Sequence, residues 1–437
     1  MENGFGTRDS QVAYPRNVFF NLSVFQFLTF LRRGVFYSFM INYLYMLMQT
    51  ATSTASLGTL NMIASALGQN LLWGRISDRY KLRTKLIVMG ETIAGFAYII
   101  VFLIHKSLND AGNGFAAGLS IIIGLSILEF FWSMSDVGWA ALLTDVTTPK
   151  IRGRIVGALN FIASLGRMIG IIFAGFLYAN GEGFKNGTIF YIVTMLLFIG
   201  SAIMTLIARR IKARSDAQKQ SIRREAGQRE GKTTEENEKT YRWFLTFLII
   251  VVLGAASINQ IFLLFIKLRE GLNVSDSEMS LILSAWTIGG MLTSISSGRL
   301  ADKIGRSKTI FSGLILALVS PLLYSSAQTV PSMALIYGLN GSSFWIIQTV
   351  GFAFAGDMVP GHKRGRLLSR YNTVMALSWG PAGILIGGPL VDIQINGFQM
   401  PTYKACVNAF YTSSIIVTLG TMLFAMKFAK IKVKSDV

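Results

Sequence analysis

Arg33, Glu129, Asp136 and Arg167 sit inside long apolar runs, in "FLTFLRRGVFYSF", "LEFFWSMSDVGW" and "ASLGRMIG". Ionisable groups in such surroundings are costly to keep and mark ion or substrate pathways by default. Glu129 and Asp136 are seven residues apart, so on a helix they fall two turns apart on nearly one face. Gln26, Thr29, Arg33 and Tyr37 make a polar stripe of helical spacing. Acids opposite arginines can work as a switch. Protonating a carboxylate releases its arginine, which then favours another conformation or holds an anionic group. The competing reading is a permanent ion-pair staple within one bundle. Glu91, near one end of its apolar run, reads as an interfacial partner for loop arginines.

The elements that must position these residues follow from composition. The 437-residue chain is 52% hydrophobic and 14% charged, where a soluble protein carries about a quarter charged residues. Mean hydropathy is +0.49. Repeated apolar runs of about 20 residues read as membrane-spanning helices. Twelve are expected, near 17–48, 55–74, 85–104, 117–144, 154–179, 187–208, 242–267, 277–297, 308–327, 330–356, 366–391 and 404–427. A single cysteine, Cys406, leaves no internal disulfide, and the two histidines make no spaced metal cluster. There is no phosphate-binding Gly-x-x-x-x-Gly-Lys-Ser/Thr loop and no nucleophile–base set, so neither a cofactor nor an enzyme activity is expected. The first 16 residues lack the apolar core of a cleaved signal peptide, so the first span is expected to direct insertion.

Net charge is +19. No basic run is interleaved with base-stacking aromatics, so no nucleic-acid partner is expected. Lys and Arg concentrate instead in alternate loops and at both termini. The bias puts both termini on the cytoplasmic side of a multi-pass plasma-membrane protein. Residues 209–241, charged and poor in large apolar side chains, read as a cytoplasmic linker, partly helical at most, between units at 1–208 and 242–437.

Two stretches recur. "GRISDRYKLRTK" begins at Gly74 and "GRLADKIGRSKT" at Gly298, pairing Asp78 and Arg79 with Asp302 and Lys303. "DVTTPKIRGR" begins at Asp145 and "DMVPGHKRGR" at Asp357, each placing an arginine, Arg152 or Arg364, after six intervening residues. The chain is therefore two six-span halves in parallel repeat. Gly74 and Gly298, without side chains, would allow close helix approach. Asp78 and Asp302 would accept from the free N–H groups at a neighbouring helix start.

These motifs resemble the major facilitator superfamily, whose signature between spans two and three is Gly-x-Leu-Ala-Asp-Arg/Lys-x-Gly-Arg-Arg/Lys. "GRLADKIGRSK" matches nearly throughout, whereas "GRISDRYKLRTK" replaces the second glycine by Lys81 and the next arginine by Leu82. The resemblance implies an all-α membrane fold of two pseudo-symmetric six-helix bundles working by alternating access. It implies that Asp78 meets span eleven and Asp302 span five, closing the cytoplasmic side. It also implies that spans one, four, seven and ten line a central cavity. Gln26, Tyr37, Asn259, Gln260, Asn340, Ser343, Trp345 and Gln348 would then contact substrate, Trp345 as a stacking surface.

"RGVFY" resembles the first span of proton-coupled peptide transporters, but their paired glutamates are Thr29 and Arg32 here, so peptide uptake does not follow. Antiporters of the superfamily carry Gly-Pro in span five. Here that site is Gly166-Arg167, and the Gly-Pro stands in span eleven as Gly380-Pro381. The expectation is a monomeric, proton-coupled secondary transporter of a small organic solute, leaning to efflux and in contact with membrane lipid. The alternatives are a symporter importing a small organic anion on Arg33 and Arg167, and a non-transporting sensor that signals through the linker.

Overall fold

The computed structural model describes residues 16–80, 82–147, 149–218, 235–358 and 364–428, with some side chains inside them excepted. All regular structure there is helical. The first half holds α1 (Arg16–Met48), α2 (Ala51–Leu67), α3 (Gly74–Tyr80), α4 (Arg83–Asp110), α5 (Gly114–Val146), α6 (Pro149–Tyr178), the short α7 (Glu182–Lys185) and α8 (Thr188–Gln218). The second holds α9 (Glu235–Ala256), α10 (Asn259–Phe265), α11 (Asp276–Ile304), α12 (Arg306–Leu323), α13 (Val330–Asp357), α14 (Arg364–Trp379), α15 (Gly388–Asn396) and α16 (Thr402–Phe428).

Every apolar run named above is helical over most of its length. Among the described residues eight helices are long and apolar enough to cross a membrane, or nine if the pair Asp276–Ser294 and Ser296–Ile304, bent by 45°, is one span. The helices that fall short carry polar cargo or a break. Arg32, Arg33 and Asn42 lie on α1, and Asn340, Ser342, Ser343 and Gln348 on α13. A π turn, Gly68–Trp73, interrupts α2 before α3. Within the stretch read as a linker, α8 runs to Gln218 and α9 starts at Glu235; residues 219–234 lie outside the described ones.

Three glycines let α1 and α6 touch backbone to backbone. A Cβ on Gly34 would lie 2.4 Å from the Arg167 carbonyl oxygen, one on Gly166 2.4 Å from that of Phe27, and one on Gly170 2.2 Å from that of Leu31. Small residues are what such approach requires in a membrane. In the second half Gly289 and Gly341 do the same between α11 and α13.

The core is organised differently at the two ends of the bundle. At the end carrying the repeated motifs, each half has its own cluster: Leu22, Phe25, Ile87, Leu142 and Met204 in the first, Phe244, Phe247, Phe354, Phe424 and Phe428 in the second. Towards the opposite end one cluster spans both halves, joining Phe36, Phe39 and Tyr178 to Phe262, Met279, Tyr324 and the buried Cys406.

Polar contacts follow the same division. At the opposite end Asp392 of α15 accepts from the backbone N–H groups of Ala51 and Thr52, at 2.9 and 2.8 Å. Asp276 of α11 accepts from the Asn180 N–H at 2.9 Å and pairs with Lys267. Midway, Thr59 donates to the Gly380 carbonyl at 2.9 Å, and Gly380 lies so close to Met62 that a Cβ would be 2.6 Å away. At the motif end the contacts stay within the second half: Arg306 meets Ala353 and Asp357, and the Ser307 hydroxyl donates to the Phe428 carbonyl at 2.7 Å.

The motif end corrects two expectations. Gly298 has nothing within 4 Å of where a Cβ would stand, and the atoms a Cβ on Gly74 would meet belong to Gln69 of its own π turn. Among the described residues neither glycine therefore makes a helix-to-helix contact. Asp302 is exposed, and the start of α6 that the resemblance pairs with it lies among side chains outside the described ones. The side chains of Asp78, Asp145, Arg152 and Arg364 lie outside the described residues. What the second-half motifs do show is a contact with each other. Arg306, first residue of α12, pairs with Asp357 and donates to the Ala353 carbonyl at 2.9 Å. Arg83 opens α4 as Arg306 opens α12, and donates to the Ser77 carbonyl and hydroxyl at 2.6 Å each. The arginine missing at Leu82 is thus displaced by one residue rather than lost.

Candidate functional site

The charge cluster forms where α1, α4 and α5 meet. Arg32 and Arg33 are consecutive, so they leave α1 about 100° apart. Arg32 turns inward and is 2% exposed. Arg33 faces an opening: its Nη2 lies 3.6 Å from Asp136 Oδ1, with the two side chains 33% and 39% exposed. Both guanidinium groups rest on the Trp132 indole, 4.7 and 4.5 Å from its ring centroid. Contacts of this kind contribute roughly 0.5–2 kcal/mol, more as water is excluded.

Glu91 belongs to this cluster. It is 2% exposed, and its Oε1 accepts from Trp132 Nε1 at 2.9 Å and from the Ser135 hydroxyl at 2.8 Å. The reading of Glu91 as an interfacial partner of loop arginines is therefore wrong. Distance along a helix says how deep a residue lies, not which way it points, and Glu91 points at α5. Arg32 completes the buried side by donating to the Tyr98 hydroxyl at 3.3 Å.

Glu129 does not reach an arginine within ion-pair distance among the described residues; nearby, Ser65 accepts from Gln69 Nε2 at 3.1 Å. Arg167 is exposed and lies across the boundary between halves, its Cζ 5.3 Å from the Trp286 ring centroid. No carboxylate among the described residues pairs with it. Of the four ionisable residues singled out first, the structure thus brings Arg33 and Asp136 together and leaves Glu129 and Arg167 nearby without partners of opposite charge.

The polar residues expected to share one cavity separate. Asn259, Asn340 and Ser343 border a small gap within the second half, beside Phe344, Met375 and Trp379, with room for little more than a water molecule. None of the charge cluster lines it. Gln260 is wedged between α2 and the π turn Gly383–Gly387, 3.4 Å from a Cβ placed on Gly58 and 2.7 Å from one on Gly383. Trp345 covers Gly290. Gln348 and Gln260 each keep a buried side-chain oxygen without a partner, and Gln26 is nearly enclosed on α1. Pro381 follows Gly380 in the break between α14 and the π turn.

Residues 22–268 and 245–436 match the sequence profile of the Major Facilitator Superfamily. The chain belongs to this superfamily. Among similar proteins, Multidrug resistance protein 1 of Bacillus subtilis is 25% identical over 273 residues, 62% of this chain and 65% of that one. A "Multi-drug resistance efflux pump PmrA homolog" of Lactococcus lactis is 22% identical over 81% of this chain and 78% of its own length. The match to an MFS-type transporter of Mycobacterium tuberculosis covers only 17% of that protein, at 27% identity. A bacterial homologue of the lysosomal transporter Spinster, in an inward-facing and unoccupied conformation, superposes with a TM-score of 0.69 at 13% identity, covering 95% of this chain and 97% of that one. The nucleoside transporter NupG gives 0.68 at 14% identity, covering 95% of this chain and all of the other. These likenesses share the superfamily fold. The protein is a multi-pass membrane transporter of this superfamily, whose members bind small-molecule substrates.

The sequence missed Trp132 as the shared platform and Arg32 as the inward member of its pair. A signal for the second was present, since two adjacent arginines on one helix cannot both face the same cavity.

Proposed function

We propose that the protein is a proton-coupled secondary transporter that exports a small organic solute by alternating access. Twelve spans form two six-helix halves, with both termini cytoplasmic. The motif end is the cytoplasmic side, and the conformation is open there. The Arg33–Asp136 pair carries this reading. It is half-open to water, so a proton can reach it, and it is loosely spaced, so it can separate. Protonation of Asp136 frees Arg33, and the altered charge favours rearrangement of the two halves. Glu129, without an arginine contact, is a second carboxyl able to take the proton. Likeness to efflux pumps supports the direction of transport.

The test is transport of a broad compound panel in proteoliposomes, with and without an imposed pH gradient. Accumulation that follows the gradient is the expected result, and accumulation indifferent to it would count against proton coupling. A second reading, import of an organic anion with a proton, is favoured by one observation: Arg167 presents an unpaired guanidinium stacked on Trp286. In the same assay, uptake of anions driven by an inward proton gradient would select it.

A further inference from the structure

A cavity of about 250 Å³ lies in the seam between the halves, at the end opposite the repeated motifs. Tyr45, Met46 and Tyr178 wall it from the first half, and Leu264, Lys267 and Leu268 from the second. Its floor is buried and its rim, at Met46 and Asn180, is exposed. No residue of the charge cluster borders it. Contacts between the halves hold the seam shut around it. Asn42, on the floor, donates across it to the Leu263 carbonyl at 3.3 Å, and Asp276 accepts from the Asn180 N–H at 2.9 Å. Each half supplies part of the wall, so the cavity exists only while the halves meet here.

The polar groups around it are unequally occupied. The Asn42 amide also reaches Met279 Sδ at 3.7 Å, and the Tyr178 hydroxyl donates to Met46 Sδ at 3.4 Å. Lys267 is the one charged residue on the wall. Its partner Asp276 stands outside the cavity and gives one oxygen to Lys267 and the other to the Asn180 N–H, so that the ammonium is fixed in place. An ammonium donates in several directions at once, so donors remain for a ligand. The rest of the wall is rings, leucines and a thioether, and thioethers pack well against aromatic rings. Drug-sized ligands fill pockets of about 300–1,000 Å³; this one suits a single ring with a short acidic arm.

We propose that the cavity binds a small aromatic carboxylate, its head on the Lys267 ammonium and its ring against Tyr45 and Leu268, and that the bound acid holds the halves together at this end. A ligand that needs both walls binds the joined state alone and shifts the equilibrium towards it. The site is separate from the one offered above for proton and solute. Binding does not depend on that reading; only an effect on transport would.

The probe is phenylacetate, with phenylacetamide as its neutral twin, titrated into the purified full chain in a calorimeter. Phenylacetate should bind saturably, and the amide at least about tenfold more weakly, as expected when a hydrogen bond loses its charge. Lys267→Gln should weaken phenylacetate by a similar factor, while Arg33→Gln and Arg167→Gln leave it unchanged. Because Lys267→Gln also strips Asp276 of its partner, Thr402→Trp serves as a second variant. Thr402 borders the cavity at the start of α16, and the indole should fill the space and abolish binding with the Lys267–Asp276 pair intact. Hydrogen exchange reads the coupling: the N–H groups of Ala51, Thr52 and Asn180 cross the seam. At about ten times its Kd, phenylacetate should slow their exchange about elevenfold.

Absence of saturable binding overturns the proposal, as does binding that survives Thr402→Trp or that the amide matches. Binding lost in Arg167→Gln and kept in Lys267→Gln puts the acid at the boundary beside Trp286 and overturns it too. Binding with unchanged exchange at Ala51, Thr52 and Asn180 refutes the holding together of the halves.

Discussion

Asp392 caps the first turn of α2 from the other half of the molecule, its two carboxylate oxygens receiving the N–H groups of Ala51 and Thr52. A helix start carries unpaired donors and partial positive charge, so this carboxylate satisfies both needs at once. Loss of such a cap costs about 1 kcal/mol, close to a fivefold change in a two-state equilibrium. Asp392→Ala should therefore raise the population separated at this end by about that factor. Double electron–electron resonance between spin labels near residues 50 and 396 would report it, and identical distance distributions in variant and wild type would refute the latch.

Neutralising the acids should separate coupling from binding. Asp136→Asn, alone or with Glu129→Gln, should abolish accumulation driven by a pH gradient while leaving substrate binding or downhill exchange measurable. Arg33→Ala should be more harmful, because it leaves a carboxylate in the cluster without its partner, a loss of roughly 3–5 kcal/mol where such a pair is buried and less where it is half-open. A permanent staple predicts the reverse pattern: loss of folded protein in each single variant, and recovery with unchanged pH dependence when the two charges are swapped.

Two glycines of similar sequence context should respond oppositely to added bulk. Gly166→Ala puts a methyl group 2.4 Å from the Phe27 carbonyl oxygen. Overpacking of this kind costs about 1–3 kcal/mol, so detergent-solubilised protein should melt several degrees lower. Gly298→Ala meets open space and should melt with the wild type. A destabilised Gly298→Ala would mean that the motif end spends much of its time closed.

Orientation is testable without any substrate. An epitope inserted in 219–234 should be reached by antibody only after the cytoplasmic face is opened, as should tags at either terminus. Cleavage in that stretch by external protease in sealed cells would invert the assignment.

Span positions were legible in the sequence because apolar length and breaker residues are properties of the chain alone. The sequence pointed to Gly166 only as the place of a family Gly-Pro, and its packing against the Phe27 carbonyl shows only when α1 is placed beside α6. Glu91 was not legible, since its burial depends on the rotation of α4 against α5. Gly298 has open space where a Cβ would stand, and Asp302 is exposed, because a loop motif names residue types without saying what lies opposite them. The single polar cavity divided into a charged site and a neutral gap because helix order along the chain does not say how far apart two polar faces come to rest.

The two interrupted helices that meet across the halves, one at Gly68–Trp73 and one at Gly383–Gly387, share a mechanical property. A π turn accommodates one residue more than the ladder around it. If either relaxed to α geometry, every side chain beyond it would swing by about 100° and advance by about 1.5 Å. Each insertion thus stores a phase shift, and the helix segment towards the motif end can be dialled relative to the segment clamped at the other end. On the alternating-access reading, rocking of the halves then need not be rigid: α3 and the Gly380-Pro381 break would change which residues they present while Asp392 stays seated on α2.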